Sequence, residues 1–141
     1  MNLRALILLP AAWLLCACGG QTPPIEVANA WSPAAPPTAT TLAVYADITA
    51  HQADTLVGIS TPAATMAQLH ATSEEGGMMR MREVPQLVLS QNETVHLAPG
   101  GMHVMLMDVR AVPQAGAHIA LVLHFAKAGD VSVDAQVRAA Q

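Results

Sequence analysis

From about Ile25 onward the chain is dominated by a period-two alternation of apolar and polar positions. Thr41 to Thr49 puts Leu42, Val44, Ala46 and Ile48 on one face, Ile119, Leu121, Leu123 and Phe125 repeat the pattern, and Val131, Val133, Ala135 and Val137 close it. Side chains of a strand alternate between two faces, so each stretch reads as a half-buried strand with its apolar set turned to a core. Turn residues punctuate these runs: Pro33 to Pro37, Pro62, Gly76-Gly77, Pro99-Gly100-Gly101, Pro113 to Gly116 and Gly129-Asp130. Short strands separated in this way predict an all-β sandwich or barrel of about eight or nine strands with Greek-key connections. Ala63, Ala64, Met66, Ala67 and Leu69 would tolerate a helical turn, but a strand from about Met66 to Thr72 is the favoured reading. Glu74-Glu75 ahead of Gly76-Gly77 reads as a solvated hairpin turn.

The first residues follow a different pattern. Met1 to Arg4 is a short, weakly positive start, and Ala5 to Leu15 is an apolar run interrupted at Pro10. Such a run is too short to span a bilayer and reads as the apolar centre of an export signal. Leu15-Cys16-Ala17-Cys18-Gly19 resembles the bacterial lipobox, in which a cysteine is lipidated and becomes the first residue. Ordinary cleavage wants a small residue where Leu15 stands. Residues 1–17 are therefore expected to be a lipoprotein signal peptide, 18–24 the lipidated Cys18 with a flexible tether, and 25–141 one folded domain. That predicts a periplasmic protein anchored to a bacterial membrane. Gly19, rather than Asp, after the lipidated cysteine resembles outward sorting, which favours the outer membrane.

Charge and cysteine usage narrow the function. Both cysteines, Cys16 and Cys18, lie in the export region, so the domain has no thiol for a zinc site, a redox dithiol or a nucleophile. A formal charge of −4 gives no basic footprint for nucleic acid. No motif resembling a nucleophile elbow surrounds Ser60, Ser73 or Ser90, and the acidic residues form no recognisable pair. An enzyme is not expected.

What remains is an excess of soft donors, with 8 Met and 6 His against 1 Phe, 1 Tyr and 2 Trp. Methionine also fills core gaps, so composition alone does not separate packing from metal binding. Spacing does more. His70 is followed at fixed intervals by Met81, His103 and Met105, and the last two share a strand face. Copper(I), a soft cation, favours thioether and imidazole donors. Zinc would find two thioethers poor ligands, and calcium would want carboxylates.

The pattern H-x10-M-x21-H-x-M, formed by His70, Met81, His103 and Met105, resembles that of the periplasmic copper chaperone family PCu(A)C. So do Ala30-Trp31, Leu69-His70, Met81-Arg82 and the run Pro99-Gly100-Gly101-Met102-His103-Val104-Met105-Leu106-Met107. The likeness covers about Ile25 to Val137. It implies a cupredoxin-like β-fold and copper(I) held by these four residues. Delivery toward the Cu(A) centre of cytochrome c oxidase, or to another assembly factor, is also implied. One departure is that Ala71 and Thr72 follow His70, where many relatives carry a methionine.

Met79 and Met102 are candidate secondary donors, with a hydrophobic rim as the favoured reading for both. Met107 continues the face of Met105 but is read as core. His51, His96, His118 and His124 have no spaced partners and read as bystanders, although His51 with Asp47 or Asp54 is an alternative second site. The rival functions are copper sequestration for tolerance, which would use the same residues, and an electron carrier, which would need a thiolate that the domain does not offer.

Overall fold

A computed structural model describes residues 22–139, so the export signal and Cys18 lie outside the described residues. Ten strands follow in order: β1 Ile25–Pro33, β2 Thr41–Ala50, β3 Asp54–Ser60, β4 Ala64–Glu75 and β5 Met78–Glu83, then β6 Leu87–Leu89, β7 Glu93–Leu97, β8 Met102–Val109, β9 His118–Phe125 and β10 Gly129–Arg138. The three long alternating runs fall within β2, β9 and β10. The expected count of eight or nine is exceeded because β6 and β7 have three and five residues, too short for alternation to register. Thr61 to Leu69 forms no helical turn; β4 starts at Ala64 and runs beyond the expected Thr72 to Glu75.

Neighbours across the sheet run β5-β4-β8-β2-β1-β10-β9-β3-β6, with β7 also paired to β2. Pairing is antiparallel throughout except for β1 with β10. Strands distant in sequence are repeatedly adjacent, as Greek-key connections require. β2 belongs to both halves, since Thr41 to Val44 pair with β8 and Ala46 to Ala50 pair with β7. The architecture is the all-β, cupredoxin-like fold that the alternation and the family likeness predict.

The two halves enclose one core. Leu42, Val44 and Ile48 of β2, Leu69 of β4, Val104 and Leu106 of β8 and Ile119 to Phe125 of β9 supply its buried apolar side chains. Ile48 and Leu106 are fully buried. Truncating either to alanine costs about 2 to 5 kcal/mol by lost transfer energy and a residual cavity. The other face of the β5-β4-β8-β2 half is turned outward. Gly76 and Gly77 both adopt positive φ (62° and 78°) in the tight turn that joins β4 to β5, the conformation a two-residue hairpin loop needs. At the N-terminus the Pro24 carbonyl accepts the His51 and Gln52 N–H groups at 2.9 and 3.4 Å, so the last residue of the expected tether is already fixed to the domain.

Candidate metal centre

Register brings the His and Met candidates together. His70 on β4 lies directly opposite His103 on β8, and Gln68 opposite Met105. On the other side of β4, Thr72 lies opposite Met81 of β5. Residues directly opposite each other share a face, as do residues two apart on one strand, so His70, His103, Met105 and Met81 all project from the same side. That side is the outer one, since the intervening Leu69, Val104 and Leu106 are buried in the core. The four donors are spread along the strand direction. The histidine pair is central, with Met105 one ladder step to one side and Met81 one step to the other. One step is two residues, roughly 6.8 Å, so both thioethers must lean inward to meet one ion. Met81 has the less packed support, because β5 is an edge strand whose residues are all exposed.

The two imidazoles are held differently. Their ring centroids are 6.1 Å apart, edge to face. Nδ1 of His103 lies 3.2 Å from the Gly101 carbonyl, which can only accept, so Nδ1 carries the proton and Nε2 keeps its lone pair. Fixing the tautomer through a backbone carbonyl is how metal-ligating histidines are commonly oriented. The same carbonyl accepts the Thr72 N–H at 3.1 Å, which ties the loop before β8 to β4. Gly100 beside it has φ 80°, a value that favours glycine. His70 places Nε2 3.3 Å from Oε1 of Gln68. Nε2 then donates, and Nδ1 is left as a buried lone pair with no hydrogen-bond partner among the described residues. An orphaned buried acceptor costs free energy unless a ligand meets it. It fits a soft cation.

Burial grades across the site. His103 is 5% exposed and Met81 is 49% exposed, with His70 and Met105 between them. One flank is aromatic: Tyr45 of β2 lies 6.3 Å from His103 and 4.9 Å from Trp31, centroid to centroid, and Arg138 sits over the Trp31 ring at 5.0 Å. Burial pushes the Tyr45 phenol up, so it stays neutral near pH 7 and offers no phenolate to a hard ion. Ala43, opposite Met105, leaves space for the thioether. Glu83 is the β5 partner of His70 and brings one exposed carboxylate to the rim.

The remaining candidates divide. Met79 is opposite Glu74, one step beyond Met81 on the same face, and is exposed. Met102 is opposite Ala71 and packs against the core, away from the histidines. A side chain at position 71, directly after His70, also faces the core. Met107 is not core: it pairs with Met66 on the outer face, and it is Leu106 that fills the interior. Each bystander histidine is paired with a carboxylate outside the cluster: His51 with Glu26 (3.3 Å), His96 with Asp47 (2.6 Å), His118 with Asp134 (3.1 Å) and His124 with Asp130 (2.7 Å). The alternative second site fails for that reason. Asp47 is engaged by Asn29 and His96, which hold its carboxyl below the usual range, and Asp54 is buried against backbone N–H groups. Among the described residues no three His, Cys, Asp or Glu side chains gather into a metal site, so thioethers are needed to complete one.

Sequence reading missed the supporting residues. Gln68 and the Gly101 carbonyl orient the imidazoles, and neither carries a motif. Each is two residues from its histidine, however, and that spacing is the signal once a strand is assumed. Also missed was a row in which Ser60 Oγ lies 2.9 Å from His124 Nε2 and His124 Nδ1 lies 2.7 Å from Asp130. It lies on an open sheet face with Asp130 70% exposed, whereas nucleophilic catalysis requires a water-excluding site with oxyanion donors.

Fold and site together define a cupredoxin-like β-domain with a solvent-facing His/Met patch. The chain belongs to the family described as "Putative lipoprotein LpqE-like", whose sequence profile matches residues 25–137. A relative from Leifsonia xyli subsp. xyli, "Putative lipoprotein Lxx21020", is 36% identical over 110 residues, covering 76% of this chain and 65% of that protein. The chain thus spans slightly less than two thirds of this relative's length. Among solved structures, the copper-bound PCuAC domain from PmoF2 superposes with a TM-score of 0.70 at 26% identity, over 83% of this chain and 94% of that one. The copper(I) form of DR1885 from Deinococcus radiodurans gives 0.67 at 31% identity, over 86% and 83%. Its apo form gives 0.64 at 31%, over 99% and 97%. The PCu(A)C likeness read from the sequence is shown by these neighbours.

Proposed function

We propose that this protein is a copper(I) metallochaperone of the bacterial envelope. It holds one ion tightly through His70, His103, Met105 and Met81 and passes it to an acceptor such as the Cu(A) domain of cytochrome c oxidase or another assembly factor. The observation that carries the reading is that four residues far apart in sequence come to one outer face in a single β4-β8-β5 register, with two imidazole lone pairs left unengaged. The copper-bound PCuAC neighbours support it. The buried His103 and half-buried His70 give affinity, and the exposed Met81 gives a partner somewhere to begin ligand exchange. Thioethers suit that step because they bind without a proton to lose and can be displaced one at a time. Met79 lies where a departing ion would next find sulfur. The reading contains no catalytic step.

The test is anaerobic transfer. Copper(I)-loaded full chain should donate its ion to a purified apo Cu(A) domain faster than free chelated copper does. Retention of the ion against that acceptor would favour sequestration instead. An electron carrier is disfavoured because residues 22–139 include no cysteine.

The anchor yields a separate prediction. Cys18→Ala is expected to leave the chain either as uncleaved precursor or free in the soluble periplasmic fraction, with copper binding intact. Wild-type protein that is wholly soluble and carries no lipid mass would refute the anchor and leave the copper site standing.

A further inference from the structure

The outer face carries more sulfur than one ion needs. Met66 of β4 lies directly opposite Met107 of β8, and Met105 is the next outward residue on β8. Directly opposed residues have Cβ atoms about 4.5 to 5.5 Å apart, within reach of two flexible thioethers converging on one ion without backbone movement. Met66 is 47% exposed and Met107 is half-buried, so the pair is open to solvent from one side and packed on the other. The small outer residues Ala43 and Thr41 of β2 flank Met105 and Met107. Neither Met66 nor Met107 is needed by the core, which is filled from the opposite face by Ala67, Leu69, Val104 and Leu106.

We infer that Met66, Met107 and Met105 form a second copper(I) position, built from thioethers alone, one ladder step from the histidine pair. The inference rests on the copper(I) reading of this face. Three neutral sulfurs give a soft site that selects copper(I) over zinc or calcium and binds it more weakly than a site with imidazoles. Met105 is one step, roughly 6.8 Å, from both His103 and Met107, so it serves either position. An ion arriving at Met66 and Met107 enters the tight site when Met105 swings toward the histidines. The step releases the Met66 and Met107 thioethers as the His70 and His103 imidazoles and the Met81 thioether engage, and copper remains copper(I) throughout. Soft donors then run along the face in the order Met66/Met107, Met105, His70/His103, Met81 and Met79, with loading at one end and release at the exposed hairpin.

The experiment is anaerobic titration of the full chain with copper(I) buffered by a chelator of moderate affinity, with X-ray absorption on each loaded form. Wild type should take two equivalents, the second held by the opposed Met66 and Met107 while Met105 stays with the histidine pair. Met66→Leu/Met107→Leu, a nearly volume-conserving change, should take one, with tight-site affinity held within about threefold. His70→Ala/His103→Ala should keep one weak equivalent with sulfur-only coordination. Circular dichroism checks each fold, and exposed Met66→Leu alone serves if the double variant is unstable. Two outcomes separate the hypotheses. One equivalent in wild type, wholly lost with the histidines, overturns the second position and leaves the proposed function intact. Loss of an equivalent on changing Met66 and Met107, with none lost on changing the histidines, supports the thioether position and overturns the histidine site.

Discussion

Replacing His103 with alanine is expected to lower the affinity of the tight copper(I) equivalent by at least about a hundredfold, since removing mere outer-shell support from a metal ligand already costs 10–100-fold. His103 is the most buried of the four donors, and its tautomer is fixed by the Gly101 carbonyl, so its Nε2 is pre-organised before any ion arrives. Pre-organisation is what truncation forfeits. His70→Ala should behave similarly, because its buried Nδ1 has no other partner among the described residues. Met105→Leu and Met81→Leu should lose less, roughly tenfold each, since both imidazoles remain and thioethers are the weaker donors. Gln68→Ala is the informative control. It leaves every donor in place but frees His70 Nε2, and a loss of up to about tenfold would mark Gln68 as a positioning residue. Affinity is read by competition with a copper(I) chelator, alongside a thermal melt of each apo variant. An apo melt unchanged from wild type and a tight-site affinity unaltered in both histidine variants would remove the assignment.

The largest expected effect on stability lies elsewhere, at Asp54. This carboxylate is 5% exposed at the start of β3 and accepts the Thr55 and Lys127 N–H groups on Oδ1 at 2.7 and 2.9 Å, and the Ala128 N–H on Oδ2 at 2.8 Å. It thereby pins the turn between β9 and β10 to the edge of β3. Asp54→Ala leaves three part-buried donors without their carboxylate partner, and at about 1 to 1.5 kcal/mol each, the low end for unsatisfied groups, the loss is on the order of 3 to 5 kcal/mol. Asp54→Asn is no rescue, because its amide NH2 would face a backbone N–H. Burial, the largest single influence, pushes the Asp54 carboxyl up, but the N–H groups of Ala128, Thr55 and Lys127 together outweigh it and hold the carboxyl below its usual range. A carboxyl whose folded pKa is depressed stabilises the fold fully above its unfolded value of about 3.9, and that contribution disappears as pH falls through the folded value. Wild type should therefore lose stability below about pH 4, while Asp54→Ala starts lower and shows a shallower acid dependence. Urea melts from pH 7 to 3 check both. Parallel curves for the two proteins would show that Asp54 carries no such load.

The strands with long alternation, β2, β9 and β10, could be read from the chain because one face of each is turned to the core along its whole length. β6 and β7 could not, because strands of three and five residues are fixed by their partners β3 and β2 rather than by their own pattern. Methionines were the hardest residues to assign. Met107 and Met102 differ only in the parity of their positions on β8, yet one is turned to solvent and the other to the core. An apolar, flexible side chain gives no chemical sign of which face it occupies.

The sequence by itself determined the fold class, the lack of thiols in the domain, and the spacing of His70, Met81, His103 and Met105, because alternation, cysteine position and residue intervals are local properties. Only the tertiary structure decided which intervals matter. Antiparallel pairing sets His70 against His103 and Met66 against Met107, and a shift of one residue would have turned every donor inward. Register also hands the other four histidines to carboxylates and leaves the central pair to each other. That division depends on which strands become neighbours, and it is settled by burial of the opposite face, where Leu69, Val104 and Leu106 have one way to reach the core.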